Sequence, residues 1–591
     1  MTSTSTPTPR TTLFPLDDPA AEELAPRPPA RRTTRRRMRA AGLGTAMLMA
    51  LTACAGDAAS GDGGDGGDSP SSITVNGADG TISENWNPFS PTALQPTLGV
   101  IYESLYWYNL ADDVEPQHML ATGHSWNEEG TELTVTLREG VTWSDGEPFT
   151  ADDVAYTFNR IQETPALNTS GLSASGETVD EHTVLLSFPD TSFMQEAAVL
   201  GNQAIVPEHI WSEVEDPVAY INQDPVGTGA FMLREFTDQS FVLEANPDYW
   251  SEDGPHLDEV RYVGLEDADA AAAALTAGEI DWMSTFLPGM EDLLATHEQL
   301  SWVNTPALTT SVFTCSSEEL GCEGPQTDPA VRQAIYWAMD REQLNNLAGA
   351  GYGGTASPTL LLPDRDGDWI SDDDMQEVPQ APEADQAAEI LEEAGWEIGD
   401  DGIRVKDGER LSMTIQTVSG WSDYITINDT LAQQLAEVGI ELRSTQVAWN
   451  EWNDNQIQGQ FQLSLDSIGL GASSNPYFTY DPRYVSHNSA PVGEAALGQN
   501  IARYENEAVD EAVLAASQTE DPVEQAEQFA IVQEQIVEDM PYIPIYINST
   551  LTQFNNTRAT GWPSNEDPYA FAAAWKAWDN GIVLQTIEPS E

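Results

Sequence analysis

Lysine is almost missing from this 591-residue chain. Only Lys406 and Lys576 occur, and with the arginines they make 23 basic residues against 97 acidic ones. The formal net charge is −74, and without the eight arginines and four acids of residues 1–53 the remainder carries −78. A surface of that sign repels nucleic acid and anionic lipid head groups, so no nucleic-acid partner is expected. The acids are scattered along the chain, the pattern of a solvated, salt-tolerant surface. Cysteine is scarce too, three in all, which excludes a small fold stapled by many disulfides. The seven histidines show no paired spacing, so neither a metal site nor another cofactor is expected. G-x-S-x-G, H-E-x-x-H and Cys–His arrangements are also lacking. The adjacent acids Glu128-Glu129 and Asp152-Asp153 read as a solvated face and a helix start. An enzyme such as a secreted hydrolase of peptides or glycans is therefore a remote alternative.

The pronounced apolar run, AAGLGTAMLMALTA, has fourteen residues and is too short to span a bilayer. It follows the basic cluster Arg31, Arg32, Arg35, Arg36, Arg37 and Arg39 and ends at Cys54. A basic head, an apolar run and small residues before a cut make residues 1–53 a secretory signal. Thr34-Arg35-Arg36 hints at twin-arginine export but lacks the usual following Phe. Leu51-Thr52-Ala53-Cys54 resembles a bacterial lipobox, which implies cleavage before Cys54 and a lipid thioether on its sulfur. The stretch after it, to about residue 72, is rich in Gly, Ser and Asp, a flexible tether with nothing apolar to fold around. The expected location is the extracytoplasmic face of the cell membrane, anchored by lipid without crossing. In that oxidising setting Cys315 and Cys322, with six residues between them, are expected to form a local disulfide.

Past the tether, about 520 residues suffice for several domains at ~100–200 residues each. Helix and strand patterns interleave, so the expected class is α/β. The segment 133–161 is the most legible. Leu133, Val135 and Leu137 alternate with polar residues as in a half-buried strand, and Asp145-Gly146 supplies a turn. Thr150 is placed as a helix N-cap with Asp153 as a weak capping-box partner, and Val154, Phe158 and Ile161 form a helical stripe. Further helices are expected from Asp328-Pro329, over 385–394 and 430–438, and from Asp521-Pro522.

The same stretch, LREGVTWSDGEPFTADDV, resembles the signature of the family 5 extracytoplasmic solute-binding proteins, the oligopeptide/dipeptide-binding receptors of ABC importers. GTGAF (227–231), NPDYW (246–250), GEID (278–281), VRQAIYWAMDR (331–341) and LEEAGW (391–396) resemble further family motifs in order. The resemblance implies a two-lobed periplasmic-binding-protein-like fold with a hinge, in its large form. The first lobe would span 73–310, with an inserted subdomain at about 113–218. The second lobe would span 311–540, and 541–591 would return to the first. A monomer is expected, enclosing a small oligomeric solute, peptide or oligosaccharide, and delivering it to the transmembrane subunits of an ABC permease.

Aromatic residues gather where the lobes would face each other. Trp86 and Asn87 follow the opening strand, and Trp421 follows another. Trp449 and Trp452 are three apart and would share one helical face. Asn475, Tyr477 and Phe478 lie in the loop after FQLSLDSIG. These eight are the candidate ligand-binding residues. One departure bears on the ligand. Peptide-binding members commonly carry an Asp in a "W.ADY.DP" segment that pairs with the peptide α-ammonium. Gly469 to Asn475 contains no acid at the matching position, and Asp466 lies earlier in the strand. A neutral β-linked oligosaccharide, stacked on Trp faces, is the alternative to an oligopeptide.

Overall fold

A computed structural model describes residues 71–590 apart from 169–170, 266 and 288. The secretory segment, Cys54 and nearly all of the tether lie outside the described residues. Ten strands join in one sheet: β1 Ser72–Asp79, β2 Phe231–Phe236, β3 Ser240–Ala245, β4 Glu259–Leu265, β5 Trp282–Ser284, β6 Leu300–Thr314, β7 Ser412–Val418, β8 Glu441–Val447, β9 Leu463–Ile468 and β10 Tyr542–Asn555. Their order across the sheet is β8-β7-β9-β6-β10-β5-β1-β4-β3-β2.

β6 and β10 run antiparallel from the Leu300–Asn555 pair to the Phe313–Tyr542 pair. Each is about 50 Å long at ~3.4 Å per residue, long enough to serve two bodies. At one end Val303 and Phe554 belong to a hydrophobic core built from Ile73 to Val303 and from Phe554 to Ile587. At the other, Val312 joins a core with β7, β9 and the helices Pro329–Ala338, Ala384–Glu393 and Ser422–Glu437. Its neighbour Phe313 points the opposite way, into a core with the helices Tyr477–Tyr484, Glu507–Ser517 and Pro522–Asp539. The second lobe is thus a sheet with helices on both faces, and the class is α/β as expected. Such a sheet reads as near-continuous apolar runs.

The strand–turn–helix segment sits in an insert of the first lobe. Strands Ala121–Trp126, Glu132–Leu137, Thr183–Ser187 and Ser175–Asp180 form a separate sheet in that order. Leu133, Val135 and Leu137 are buried, as are Val154, Phe158 and Ile161 of the helix Ala151–Glu163. The capping box is complete, because Thr150 accepts from Asp152 while Asp153 accepts from the Thr150 N–H. Gly146 closes the turn at φ +92°, in the region that favours glycine. The helix also comes so close that a Cβ on Gly176 would meet Ala155 Cα at 2.5 Å. Trp143 is fully buried and donates to Asp153. These motif residues build scaffold.

Helices start at Asp328-Pro329 and Asp521-Pro522, and Ala384–Glu393 ends just before Gly395, all as read from the sequence. The helix expected over 430–438 begins earlier, at Ser422. Cys315 and Cys322 are joined, with Cα atoms 5.5 Å apart. Closing so short a loop removes few unfolded conformations, so the double variant C315S/C322S should lose about 2.5 kcal/mol of second-lobe stability. Urea unfolding under oxidising conditions checks this, and a midpoint unchanged from the native protein would contradict it.

Candidate functional site

β7 pairs in parallel with both β8 and β9, so the carboxyl ends of these three strands emerge at one edge. Ligands of open α/β sheets gather at that edge. The loop after β7 carries Trp421, the helix Trp449–Gln458 follows β8, and residues 469–478 follow β9. Trp421 and Trp452 meet edge to face with centroids 5.2 Å apart, and Trp421 meets Tyr424 in the same way at 5.3 Å. The Tyr424 hydroxyl shares a hydrogen bond with Ser467, which is also 3.0 Å from Thr310 Oγ1 on β6. Beside this group a cavity of about 520 Å³ reaches from Ser422 and Asp423, past Tyr546 and Asn548 of β10, to Phe286 of the first lobe.

The lobes meet at a second cavity of about 380 Å³. Tyr108, which packs on the first core, and Phe193 face Trp369, Asn475 and Phe478 of the second lobe across it. Polar contacts cross nearby. The Arg365 guanidinium donates to the Leu110 carbonyl at 3.1 Å, and Ser474 Oγ donates to the Asp113 carboxylate at 2.7 Å. Arg365 is held by Asp366, with Nη2 2.9 Å from Oδ2, and both side chains are buried. Ala307 of β6 packs with Phe571, Ala573, Ala111 and Leu470 in a small cluster of its own. The structure therefore has its lobes in contact.

The eight candidate residues separate in space. Asn475 and Phe478 reach the inter-lobe cavity, and Trp421 and Trp452 form the ring cluster. Tyr477 instead lines a separate cavity within the second lobe, with Asp481 and His487. Trp449 does not share a packed face with Trp452. It begins the helix, where no preceding turn covers it, and stays 53% exposed while Trp452 is buried. Trp86 and Asn87 are corrections. Trp86 is fully buried with its ring edge-on to Phe236 and Phe241. Asn87 is 1% exposed and donates to the carbonyls of Pro217 and Tyr220 while accepting from the Phe89 N–H. Both hold the first lobe together, because a ring among rings and a fully bonded amide leave nothing for a ligand. Sequence reasoning missed Tyr108, Phe193, Trp369 and Arg365. Their segments lack periodic patterning, although an Arg-Asp pair and a Trp within the turn-rich PDRDGDW was a usable signal.

Asp466 lies on β9, half-buried beside Gln456 and Arg483. Burial pushes its carboxyl up to about 6, against the opposing pull of the Ser467 N–H, Gln456 and Arg483. A carboxyl raised in the folded state contributes stability that is fully present below its unfolded pKa. That contribution is lost as pH rises through the folded value. D466N removes it, so the variant should gain stability relative to the native protein between about pH 4 and pH 6. Chemical denaturation at both pH values checks the sign, and a variant-minus-native stability that falls with rising pH would refute it.

Comparison with known proteins covers most of the chain. The family described as bacterial extracellular solute-binding proteins, family 5 Middle, matches residues 115–490. The oligopeptide-binding protein AppA of Bacillus subtilis is 27% identical over 463 residues, 76% of this chain and 81% of that protein. Protein XP55 of Streptomyces lividans is 30% identical over 469 residues, with the same coverage of 76% and 81%. A periplasmic oligopeptide-binding protein of an oligopeptide ABC transporter from Thermotoga maritima superposes with a TM-score of 0.79 at 26% identity, covering 88% of this chain and 99% of that one. Its mannohexaose-bound form gives a TM-score of 0.70 at 26% identity, covering 89% and 99%.

Proposed function

This chain belongs to the bacterial extracellular solute-binding proteins of family 5, and from that membership we propose that it is the receptor of an ABC importer. It captures an oligopeptide-class solute between its lobes and delivers it to the permease. The role is one of binding, not catalysis. The first lobe comprises about residues 73–310 with the insert at about 113–218. The second runs from about 311 to 547, because Tyr542 to Ile547 pack in its cores, and the return to the first lobe therefore begins later in β10 than the expected position 541. A lipid on Cys54 and the tether after it keep this body at the extracytoplasmic face of the membrane. The observation that carries the reading is the inter-lobe cavity, where rings from both lobes face one space beneath two polar contacts. Two strands crossing between two bodies with their own cores suit closure about a hinge.

A second reading, a neutral β-linked oligosaccharide, rests on a specific observation. The loop Gly469–Asn475 has no carboxylate for a peptide ammonium, and an unpaired buried ammonium is costly. The Thermotoga maritima protein holding mannohexaose adds weight to it.

A thermal-shift screen of the mature protein against short peptides and β-linked oligosaccharides separates the two. A ligand at 100 times its dissociation constant should stabilise by ~2.7 kcal/mol. If neither panel shifts the midpoint, the receptor reading fails. With the ligand identified, Trp421→Ala should weaken binding about tenfold, the size expected for truncating one buried aromatic contact. Calorimetric titration reads this directly, and unchanged affinity would remove Trp421 from the site.

A further inference from the structure

The inter-lobe cavity is lined by four aromatic rings, Tyr108, Phe193, Trp369 and Phe478. Three of them are braced by a neighbouring ring. Phe193 meets Trp126 edge-on, Trp369 meets Phe529, and Phe478 meets Tyr477. Three carboxylates complete the lining, Glu115 and Glu196 from the first lobe and Glu520 from the second, and no lysine or arginine joins them. With 97 acids against 23 bases in the chain, three carboxylates alone would decide little. The rings are the discriminating feature.

The hydrogen-bonding inventory narrows the ligand class. The two amides of the lining are tied to each other and to the backbone. Asn475 Nδ2 donates to Gln525 Oε1, its Oδ1 accepts from the Tyr477 N–H, and Gln525 Nε2 donates to the Thr519 carbonyl. Glu196 accepts from Trp126 Nε1 and is 3.2 Å from His124 Nε2, which fixes its carboxylate in place. Glu115 and Glu520 are exposed at the rim. The Tyr108 hydroxyl is buried with no hydrogen-bond partner. What remains for an incoming group is π faces, negative charge, oxygen acceptors and a few neutral donors, the Ser473 hydroxyl among them. A guanidinium or ammonium has donors only, prefers aromatic faces and is matched by carboxylates.

We infer that this cavity is a subsite for a cationic side group of the captured solute, a basic residue where the solute is a peptide. The inference rests on the receptor reading and adds a charge preference to it. The two lobes supply opposite walls, so a bound cation bridges Glu115 and Glu196 to Glu520 and favours the closed form over the open one.

The test uses matched pairs on the whole mature protein. Tetra-alanine peptides carrying one arginine are compared with the same peptides carrying citrulline, which keeps the shape and removes the charge. Oligomers of β-linked glucosamine are compared with their N-acetylated forms. In the panel that binds, the charged member should bind at least about tenfold tighter. E115Q/E520Q should cut that ratio several-fold, and because both glutamates are exposed the variant should keep the native unfolding midpoint. Trp369→Leu should reduce the ratio as well. Equal affinity of charged and neutral members, or a ratio indifferent to E115Q/E520Q, overturns the subsite and leaves the receptor standing. Failure of both panels to bind overturns the receptor reading and the subsite with it.

Discussion

The ladder between β6 and β10 is the constraint on which the rest depends. Two strands of fifteen and fourteen residues must satisfy three cores at once. They do so through the period-two alternation of side chains, which sends Val312 and Phe313 to opposite faces of the second lobe. Near Ala307, where the strands pass between lobes, the buried face of β6 narrows to short side chains while Pro306 and the 38% exposed Leu308 lie on its other face. Thr305, Ala307 and Thr309 occupy that stretch of β6. The paired register shifts between Pro306 and Leu308 and again between Thr310 and Ser311, and such bulges bend a strand and increase its local twist. The bridge is thus continuous in hydrogen bonding and interrupted in regularity.

The cleft follows from the same arrangement. β9 pairs with β6 on one side and β7 on the other, so the loops after β7, β8 and β9 open beside the bridge. Close to the bridge, direct lobe-to-lobe adhesion is a handful of contacts: the Arg365–Leu110, Ser474–Asp113 and Tyr352–Glu291 hydrogen bonds, the Phe286–Tyr352 ring contact and a small cluster about Ala307. Hydrogen bonds of this kind contribute about 1 kcal/mol each net of solvation. Adhesion so weak lets a ligand with a few good contacts decide between open and closed forms, since a population shift needs only a differential affinity of that order.

Much of this fold was legible in the sequence, and the reasons differ by element. The strand and helix of 132–163 could be read because apolar period, turn glycine and cap agreed with one another, the mark of local and global preferences pointing the same way. Helices opening at Asp-Pro were equally plain. The candidate site was read less well. A tryptophan after a strand looks the same whether it packs on Phe236 and Phe241, as Trp86 does, or against Trp452 and Tyr424, as Trp421 does. What separates the two fates is the set of residues far away in sequence that arrives on the other side. The cavity lining shows this most clearly, since Tyr108 and Trp369 stand 261 positions apart and neither carries a local sign of the other.

The scarcity of lysine gains a structural meaning. After residue 53 the chain has thirteen arginines, and several are withdrawn from the surface. Arg332, Arg341, Arg404 and Arg503 are each at most 3% exposed. They donate to backbone carbonyls: Arg332 to those of Gln326, Thr327 and Asp539, and Arg503 to those of Gln456, Ile457, Ile501 and Glu494. A guanidinium suits this task because its five donors lie in a rigid plane and reach several acceptors at once, which an ammonium on a flexible stem cannot match. Burial lowers the pKa of Arg332, Arg341 and Arg503 to about 10, still well above neutrality, so the charge persists. These four arginines thus work as internal fasteners, and since five acids, Glu103, Asp153, Asp281, Asp366 and Asp579, are buried as well, the outer surface keeps the strong acidic excess of the composition. Low-dielectric walls concentrate such a field within clefts. The inter-lobe cavity, lined by Glu115, Glu196 and Glu520 with no lysine or arginine, is one cleft where such focusing would favour cations over anions.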